Sequence, residues 1–136
     1  MKQLLPAGDL FAGALDAMND PLLHMKEHKH EGPVGGIKHD AGKIDLTLIP
    51  LIAIETEAKV LMFGEQKYGR YNYTNGFDSS RLTAAALRHL YQFISGQDAD
   101  NESGLHHLGH ARACLALYLH CEQLGTIRDN RFRGGR

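Results

Sequence analysis

The segment from residue 103 to 124 constrains the fold most, because a helix of this sequence is apolar around most of its circumference. At 100° per residue, the only side that reads as a solvent face contains Gly109, Arg112, Ala116, His120 and Gln123. Leu, Ala, Cys or Tyr occupy most of the other positions. Such a helix needs cover on several sides, and a small bundle has too little surface to supply it. The segment therefore predicts a helical bundle whose core is completed by oligomerisation.

Two further segments carry helical patterns, at residues 45–69 and 81–96. Pro50 falls near the first turn of one, Ser79 or Ser80 can cap the other, and Gly69 and Gly96 end them. Shorter amphipathic stretches precede a charged, Gly-rich loop over residues 26–43. No segment alternates like a strand. The predicted class is all-α, with three main helices and short N-terminal helices in one domain over 1–136. Within it, 1–35 forms an N-terminal helix and loop, and 126–136 a flexible basic tail.

Charge and hydropathy exclude several classes of protein. The chain has 15 basic and 16 acidic side chains among 136 residues, so we expect no stable binding to nucleic acid or to membranes. No apolar run approaches the ~18 residues of a spanning helix, and no export signal opens the chain. Cys114 and Cys121 lie two turns apart on one helix, too far for a disulfide. We expect a cytoplasmic protein.

Histidines crowd the start of the last helix, where His106, His107 and His110 occupy its first turns. A single histidine on an apolar face is usually a hydrogen-bonded core residue. Three together are harder to satisfy, because each needs its own buried partner. His107 and His110 stand at i and i+3, a spacing that lets two side chains converge on one ion. We expect His107 and His110 to lie deeper than His106.

Acidic residues at two other places complete a candidate metal site. Glu55 falls at the edge of an apolar stripe formed by Leu51, Ile54, Ala58, Leu61 and Met62, where a buried carboxylate needs a cation. Asp98, Asp100 and Glu102 alternate just before the His-rich helix. An internal salt bridge and a helix-dipole effect are the alternative explanations. Taken together, Glu55, Asp100, Glu102, His107 and His110 predict a mixed oxygen and nitrogen site suited to Mg²⁺ or Mn²⁺.

Basic and aromatic residues offer contacts for a polyphosphate and a base. Lys38 and Lys43 flank a Gly-rich stretch that can cradle phosphates, although the order of a Walker A loop is absent and a flexible linker is the alternative. Lys67, Arg70 and Arg88 add positive charge, and Tyr68, Tyr71 and Tyr73 add rings that can stack on a base.

Four blocks, "KHDAGKIDLTLIP", "VLMFGEQKYGRYN", "ALRHL" and "GQDADNESGLHHLGHA", resemble in order and spacing a phage family of dATP/dGTP diphosphohydrolases. The family is related to the MazG-like all-α nucleoside triphosphate pyrophosphohydrolases, and the likeness is strongest to the MazZ type of phages that use 2-aminoadenine. It implies metal-dependent hydrolysis of a purine deoxynucleoside triphosphate, dGTP or dATP, to the monophosphate and pyrophosphate. In the MazZ context it implies that dGMP feeds the synthesis of 2-aminoadenine nucleotides.

The resemblance also implies roles for individual residues. Glu55 and Glu102 would ligate the metal or act as base, and His107 and His110 would ligate or orient it. The expected substrate-binding residues lie within or beside the four blocks: Lys38, Asp40, Lys43, Lys67, Tyr68, Asn72, Arg88 and His89. The chain departs from the MazG pattern, which has EExxE on one helix and ExxD on the next. Here Glu55 is followed by Thr56 and Lys59, and histidines stand where ExxD is expected.

Two other functions compete with this one. The adjacent His39 and Asp40 suggest an HD-type phosphohydrolase, although that motif normally sits on a helix with further His and Asp ligands. A non-enzymatic helical module with a structural metal is the third possibility, without the cysteine pairs of a zinc site. Release of pyrophosphate would favour the diphosphohydrolase function, and release of triphosphate would favour the HD-type phosphohydrolase. In each case we expect a homo-oligomer, a dimer or a tetramer.

Overall fold

Three helices form most of the structure, a computed structural model that describes residues 42–134. They are α1 (Leu51–Tyr68), α2 (Ser79–Ile94) and α3 (His107–Gln123). A parallel pair of two-residue strands, β1 (Phe77–Asp78) and β2 (Ile127–Arg128), is the only sheet in this part of the chain. The prediction of an all-α fold with three main helices is confirmed. Among the described helices, none combines the length and apolar character needed to cross a membrane.

Residues 42–48 belong to a unit that ends at Leu48 and is separate from the one containing the three helices. Within residues 42–48, Leu46–Leu48 make one 3₁₀ turn, and the Asp45 carboxylate accepts hydrogen bonds from the backbone N–H (2.9 Å) and hydroxyl (2.5 Å) of Thr47. Lys43 belongs to this unit. The predicted N-terminal helices and the site residues Lys38 and Asp40 lie outside the described residues.

Helix α3 packs against both α1 and α2. A Cβ atom on Gly109 would lie 2.7 Å from Thr56 Cγ2 and 2.8 Å from the Thr56 carbonyl oxygen, so only glycine permits this approach to α1. The predicted solvent face is therefore wrong at Gly109, which is buried. Arg112 and Gln123 are exposed as predicted, and the other exposed residues of α3 are Leu108, Leu115, Leu119 and Glu122. Small residues, rather than the polar ones, mark where α3 meets its neighbours.

The apolar stripe predicted for α1 is exposed in the single chain. Leu51 is 68% exposed, Ile54 44% and Met62 60%. The covered face instead contains Ala53, Thr56, Glu57, Val60 and Phe63. The orientation around α1 that was expected for its glutamates is therefore also wrong. Glu55 is exposed, whereas Glu57 is half-buried and lies 3.0 Å from the guanidinium of Arg112.

Tyr73 attaches the connection between α1 and α2 to the end of α3. It sits in a 3₁₀ turn over Asn72–Asn75, and its hydroxyl lies 2.9 Å from His120 Nδ1. The Cys121 thiol, fully buried, donates to the Tyr73 carbonyl at 3.3 Å. His120 was expected on the solvent face, but it is half-buried because it serves this contact. Tyr73 is therefore a structural residue, and both cysteines are free as predicted.

Asn130, from the segment expected to be a flexible tail, caps the start of α2. Its side-chain oxygen accepts from the Ser80 backbone N–H at 3.0 Å and from the Ser79 hydroxyl at 2.8 Å. Its amide donates to the Ser80 hydroxyl at 2.8 Å. Ser79 and Ser80 were expected to cap the helix themselves. Ser79 is instead fully buried, and the cap comes from 50 residues further along the chain.

We predict that Asn130→Ala lowers the free energy of unfolding by about 1–2 kcal/mol, since it removes the cap and leaves the buried Ser79 hydroxyl without its acceptor. Urea denaturation measures the change. Asn101→Ala, at an exposed position in the loop before α3, is the matched control and should change stability little. Equal stability of the Asn130 and Asn101 variants would contradict the capping role.

Candidate metal centre

His107 is the deepest polar residue of α3, with 3% of its surface exposed. It lies in the first turn of the helix, where it meets α2. Its Nδ1 atom is 2.9 Å from Nδ1 of His89 on α2, so one of the two rings donates and the other accepts. Its Nε2 atom is buried and has no hydrogen-bond partner among the described residues. An unpartnered buried imidazole nitrogen is costly unless something binds it.

Asp100 approaches the two histidines from the loop before α3. Its carboxylate accepts from the backbone N–H and the hydroxyl of Ser103, both at 2.9 Å. The loop is closed by backbone bonds from the Asp100 N–H to Leu105 (2.9 Å) and from the Gly104 N–H to Asp100 (2.7 Å). The position of the Asp100 carboxylate is therefore fixed by the loop's own hydrogen bonds.

His89, Asp100 and His107 each offer one ligand atom, and these atoms all lie within 4.8 Å of one another. The set of two imidazoles and one carboxylate, with the unpartnered Nε2 of His107, fits a divalent cation. Of Mg²⁺ and Mn²⁺, it favours Mn²⁺, because Mg²⁺ binds nitrogen ligands poorly.

His110 and Ser103 support this cluster from one side. The His110 ring stacks on the His89 ring with 4.3 Å between centroids and 12° between planes. His110 Nε2 lies 2.7 Å from the Ser103 hydroxyl and 3.9 Å from the Asp100 carboxylate. His106 has another duty, since its Nδ1 accepts from the Leu108 N–H and caps α3. As predicted, His107 is more deeply placed than His106.

Burial sets the protonation of the site. It lowers the pKa of His89 and of His110, and the neighbouring histidines lower both further while Asp100 partly opposes the shift. Burial alone would raise the pKa of Asp100, but the two hydrogen bonds from Ser103, together with the charges of His110 and His89, leave the pKa below its ordinary value. The rings therefore favour the neutral form and the carboxyl the ionised form, as metal ligands require.

Glu55 and Glu102, the predicted catalytic acids, lie elsewhere in the single chain. Glu55 is exposed on α1 and is not part of the cluster. Glu102 forms an ion pair with Lys67 of α1, and its charge also acts on His110. Lys67 was expected to bind phosphate, so the structure pairs two residues that were assigned to separate roles.

The remaining predicted substrate residues are spread over the surface. Tyr68 is 62% exposed, with the Lys67 ammonium 5.4 Å from its ring centroid. Asn72 is exposed, and its carbonyl accepts from the Asn75 amide at 2.9 Å. Arg88 is exposed on α2, and its charge contributes to the lowered pKa of His89. Among Tyr68, Asn72 and Arg88, only Arg88 has a charged side chain, and it is adjacent in sequence to the candidate ligand His89.

Sequence reasoning missed His89 as a ligand and Ser103 altogether. His89 shares the inner face of α2 with Leu82, Ala86 and Phe93, spaced at i−7, i−3 and i+4. His107 was selected because it is a polar residue on an apolar helical face, and the same criterion selects His89. Ser103 carried no such signal, because its role depends on how the loop folds.

We predict that stability without metal falls as the pH is lowered from 7.5 to 5.5. The unfolded histidines protonate near pH 6.5, above the lowered pKa values of His89 and His110, so the unfolded chain binds more protons in this range. The slope is at most about 1.4 kcal/mol per pH unit for each histidine. Urea denaturation at both pH values measures it, and the His89→Gln/His110→Gln double variant should show a flatter dependence. An identical dependence in both proteins would contradict the assignment.

Comparison with known proteins agrees with the resemblance drawn from the four sequence blocks. A relative from Salmonella phage PMBT28, named dATP/dGTP diphosphohydrolase, is 46% identical over 80 residues, which cover 59% of this chain. The match spans only 27% of that relative's length. No solved structure gives a significant match. Residues 34–131 match the family model described as "dATP/dGTP diphosphohydrolase, N-terminal". Because this match covers most of the chain, the protein belongs to the family defined by the N-terminal region of dATP/dGTP diphosphohydrolases.

Proposed function

We propose that this chain hydrolyses purine deoxynucleoside triphosphates, dGTP or dATP, with a divalent cation held by His89, Asp100 and His107. The observation that carries the proposal is the buried, unpartnered Nε2 of His107 beside a second imidazole and a fixed carboxylate. The printed name of the phage relative supplies the substrate class. Mn²⁺ is the expected ion, and Mg²⁺ a weaker substitute.

The chain's own residues prepare the site for a polyphosphate. When bound, the cation would offset phosphate charge and lower the pKa of a water molecule. Ser103 holds the Asp100 carboxylate in the ionised form through two hydrogen bonds, and burial keeps His89 neutral. We propose that Arg88, exposed and adjacent to His89 in sequence, binds phosphate oxygens. We retain Lys38 and Lys43 as proposed phosphate contacts on the strength of the family resemblance.

The bond that is cleaved separates two candidate reactions. The family resemblance favours attack that releases pyrophosphate and leaves the monophosphate, in the setting of phage nucleotide metabolism. One observation favours an HD-type phosphohydrolase instead, because two of the candidate ligands are histidines on helices and the third is an aspartate. An enzyme of that type would release triphosphate and the nucleoside.

The test is to incubate the protein with each of the four dNTPs and Mn²⁺ or Mg²⁺ and to identify the products by chromatography. We expect dGTP or dATP to yield the monophosphate and pyrophosphate. Triphosphate would support the second reaction. If no dNTP is consumed with either ion, the proposed activity is wrong.

We predict that Asp100→Asn weakens Mn²⁺ binding at least tenfold and removes most activity, because the amide cannot replace the charged ligand. Isothermal titration calorimetry with MnCl₂ measures the first effect and the product assay the second. Glu55→Gln is the matched control, the same change of carboxylate to amide at an exposed position on α1. It should leave Mn²⁺ affinity unchanged. An equal loss of Mn²⁺ affinity in both variants would show that Glu55 belongs to the metal site, as the sequence analysis expected.

We propose further that the chain forms a homo-oligomer through α1. Leu51, Ile54 and Leu61 expose apolar side chains on one face of α1, which soluble monomers rarely leave uncovered. Analytical ultracentrifugation at micromolar concentration should show a dimer or tetramer, and Ile54→Glu should shift it toward the monomer. A wild-type chain that sediments as a stable monomer would exclude this assembly.

A further inference from the structure

A shallow groove of about 260 Å³ runs between α1 and the loop before α3. One wall is a single stripe of α1, at i, i+3, i+4 and i+7, and the other is the loop. The lining residues are Lys59, Met62, Phe63 and Gln66 from α1 and Ser103 and Leu105 from the loop. Its opening faces solvent, so a ligand can enter without any movement of the chain.

Ser103 links the groove to the candidate metal centre. It is one of the residues that line the groove, and its hydroxyl donates to the Asp100 carboxylate and lies 2.7 Å from His110 Nε2. The ion pair between Lys67 and Glu102 joins the same two walls, one residue beyond Gln66 on α1 and one residue before Ser103 in the loop. A molecule in the groove would therefore lie next to anything bound at the metal centre.

The lining chemistry suits a flat heteroaromatic ring with polar edges. Phe63, Met62 and Leu105 offer an aromatic face, a polarisable thioether and an aliphatic surface for stacking. Gln66 is exposed and brings an amide that presents one donor and one acceptor side by side, the pattern that pairs with the edge of a nucleobase. The volume lies below the about 300–1,000 Å³ of pockets that enclose whole ligands. The groove therefore takes a base alone, with sugar and phosphates outside it.

We propose that this groove binds the purine base of a nucleotide whose phosphates are held at the His89–Asp100–His107 centre. Phe63 stacks on the ring system, and Gln66 hydrogen-bonds to its polar edge. The inference rests on the proposed function for the identity of the ligand. It assigns base recognition to α1 residues outside the set that the sequence analysis selected, which had Tyr68, Tyr71 and Tyr73 in this role.

Calorimetric titration with dGMP tests the groove, because this probe contains the base and one phosphate but undergoes no hydrolysis of an anhydride. Gln66→Ala should weaken dGMP binding about tenfold through loss of the base contacts. Phe63→Leu should weaken it by about as much through loss of stacking. Gln92→Ala, an exposed glutamine on α2 outside the groove, is the matched control and should bind dGMP like the wild type. Mn²⁺ binding should be unchanged in all three variants.

The outcomes separate this inference from the proposed activity. Wild-type affinity for dGMP in both Gln66→Ala and Phe63→Leu, no binding of dGMP by the wild type, or equal binding of dCMP overturns the groove assignment. If dGMP binds and depends on Gln66 while no dNTP is hydrolysed, the groove stands and the proposed activity fails. Because Gln66 is exposed, its variant should keep the wild-type melting temperature, which excludes misfolding as the cause of weaker binding.

Discussion

The close approach of α3 to α1 at Gly109 determines how the rest of the structure is arranged. Because a Cβ atom there would meet Thr56 at 2.7 Å, the rotation of α3 about its own axis is set by a residue without a side chain. With Gly109 against α1, His107 is buried where α3 meets α2, and Leu108, Arg112 and Leu115 remain exposed. The orientation of the candidate ligands therefore follows from steric contact between backbones.

The sequence predicted the helices well and their faces poorly. Turn residues located the ends, so α1 stops before Gly69 and α2 before Gly96, as expected. The prediction of which helix faces are buried failed for a physical reason. A helix that is apolar nearly all round, such as α3, has no strong direction of amphipathicity. Arg112 and Gln123 marked its outer side correctly, but Gly109 and His120 did not. The most apolar stripe of α1 is likewise exposed, because the smaller residues around Thr56 fit against Gly109.

The candidate site was predicted where the signal is local and missed where it depends on packing. His107, His110 and Asp100 lie within eleven residues of one another, and the loop bonds that gather them are short-range. His89 comes from a different helix, 18 residues before His107, and only the packing of α2 on α3 brings it there. The sequence analysis also assigned Glu102 to the metal and Lys67 to the substrate. The structure pairs these two side chains with each other instead.

The contact between Nδ1 of His89 and Nδ1 of His107 restricts the tautomers of both rings. If the proton on this contact belongs to His107, its buried Nε2 carries a lone pair and no hydrogen, and His89 keeps its proton on the far nitrogen. If it belongs to His89, His107 must bury an unpaired N–H, which is the rarer condition in proteins. The first tautomer is thus preferred on grounds of burial alone. It leaves Nε2 of His107 as an electron-pair donor before any ion arrives. His89, with one nitrogen accepting from His107 and the other protonated, must give up this contact before it can bind the same ion.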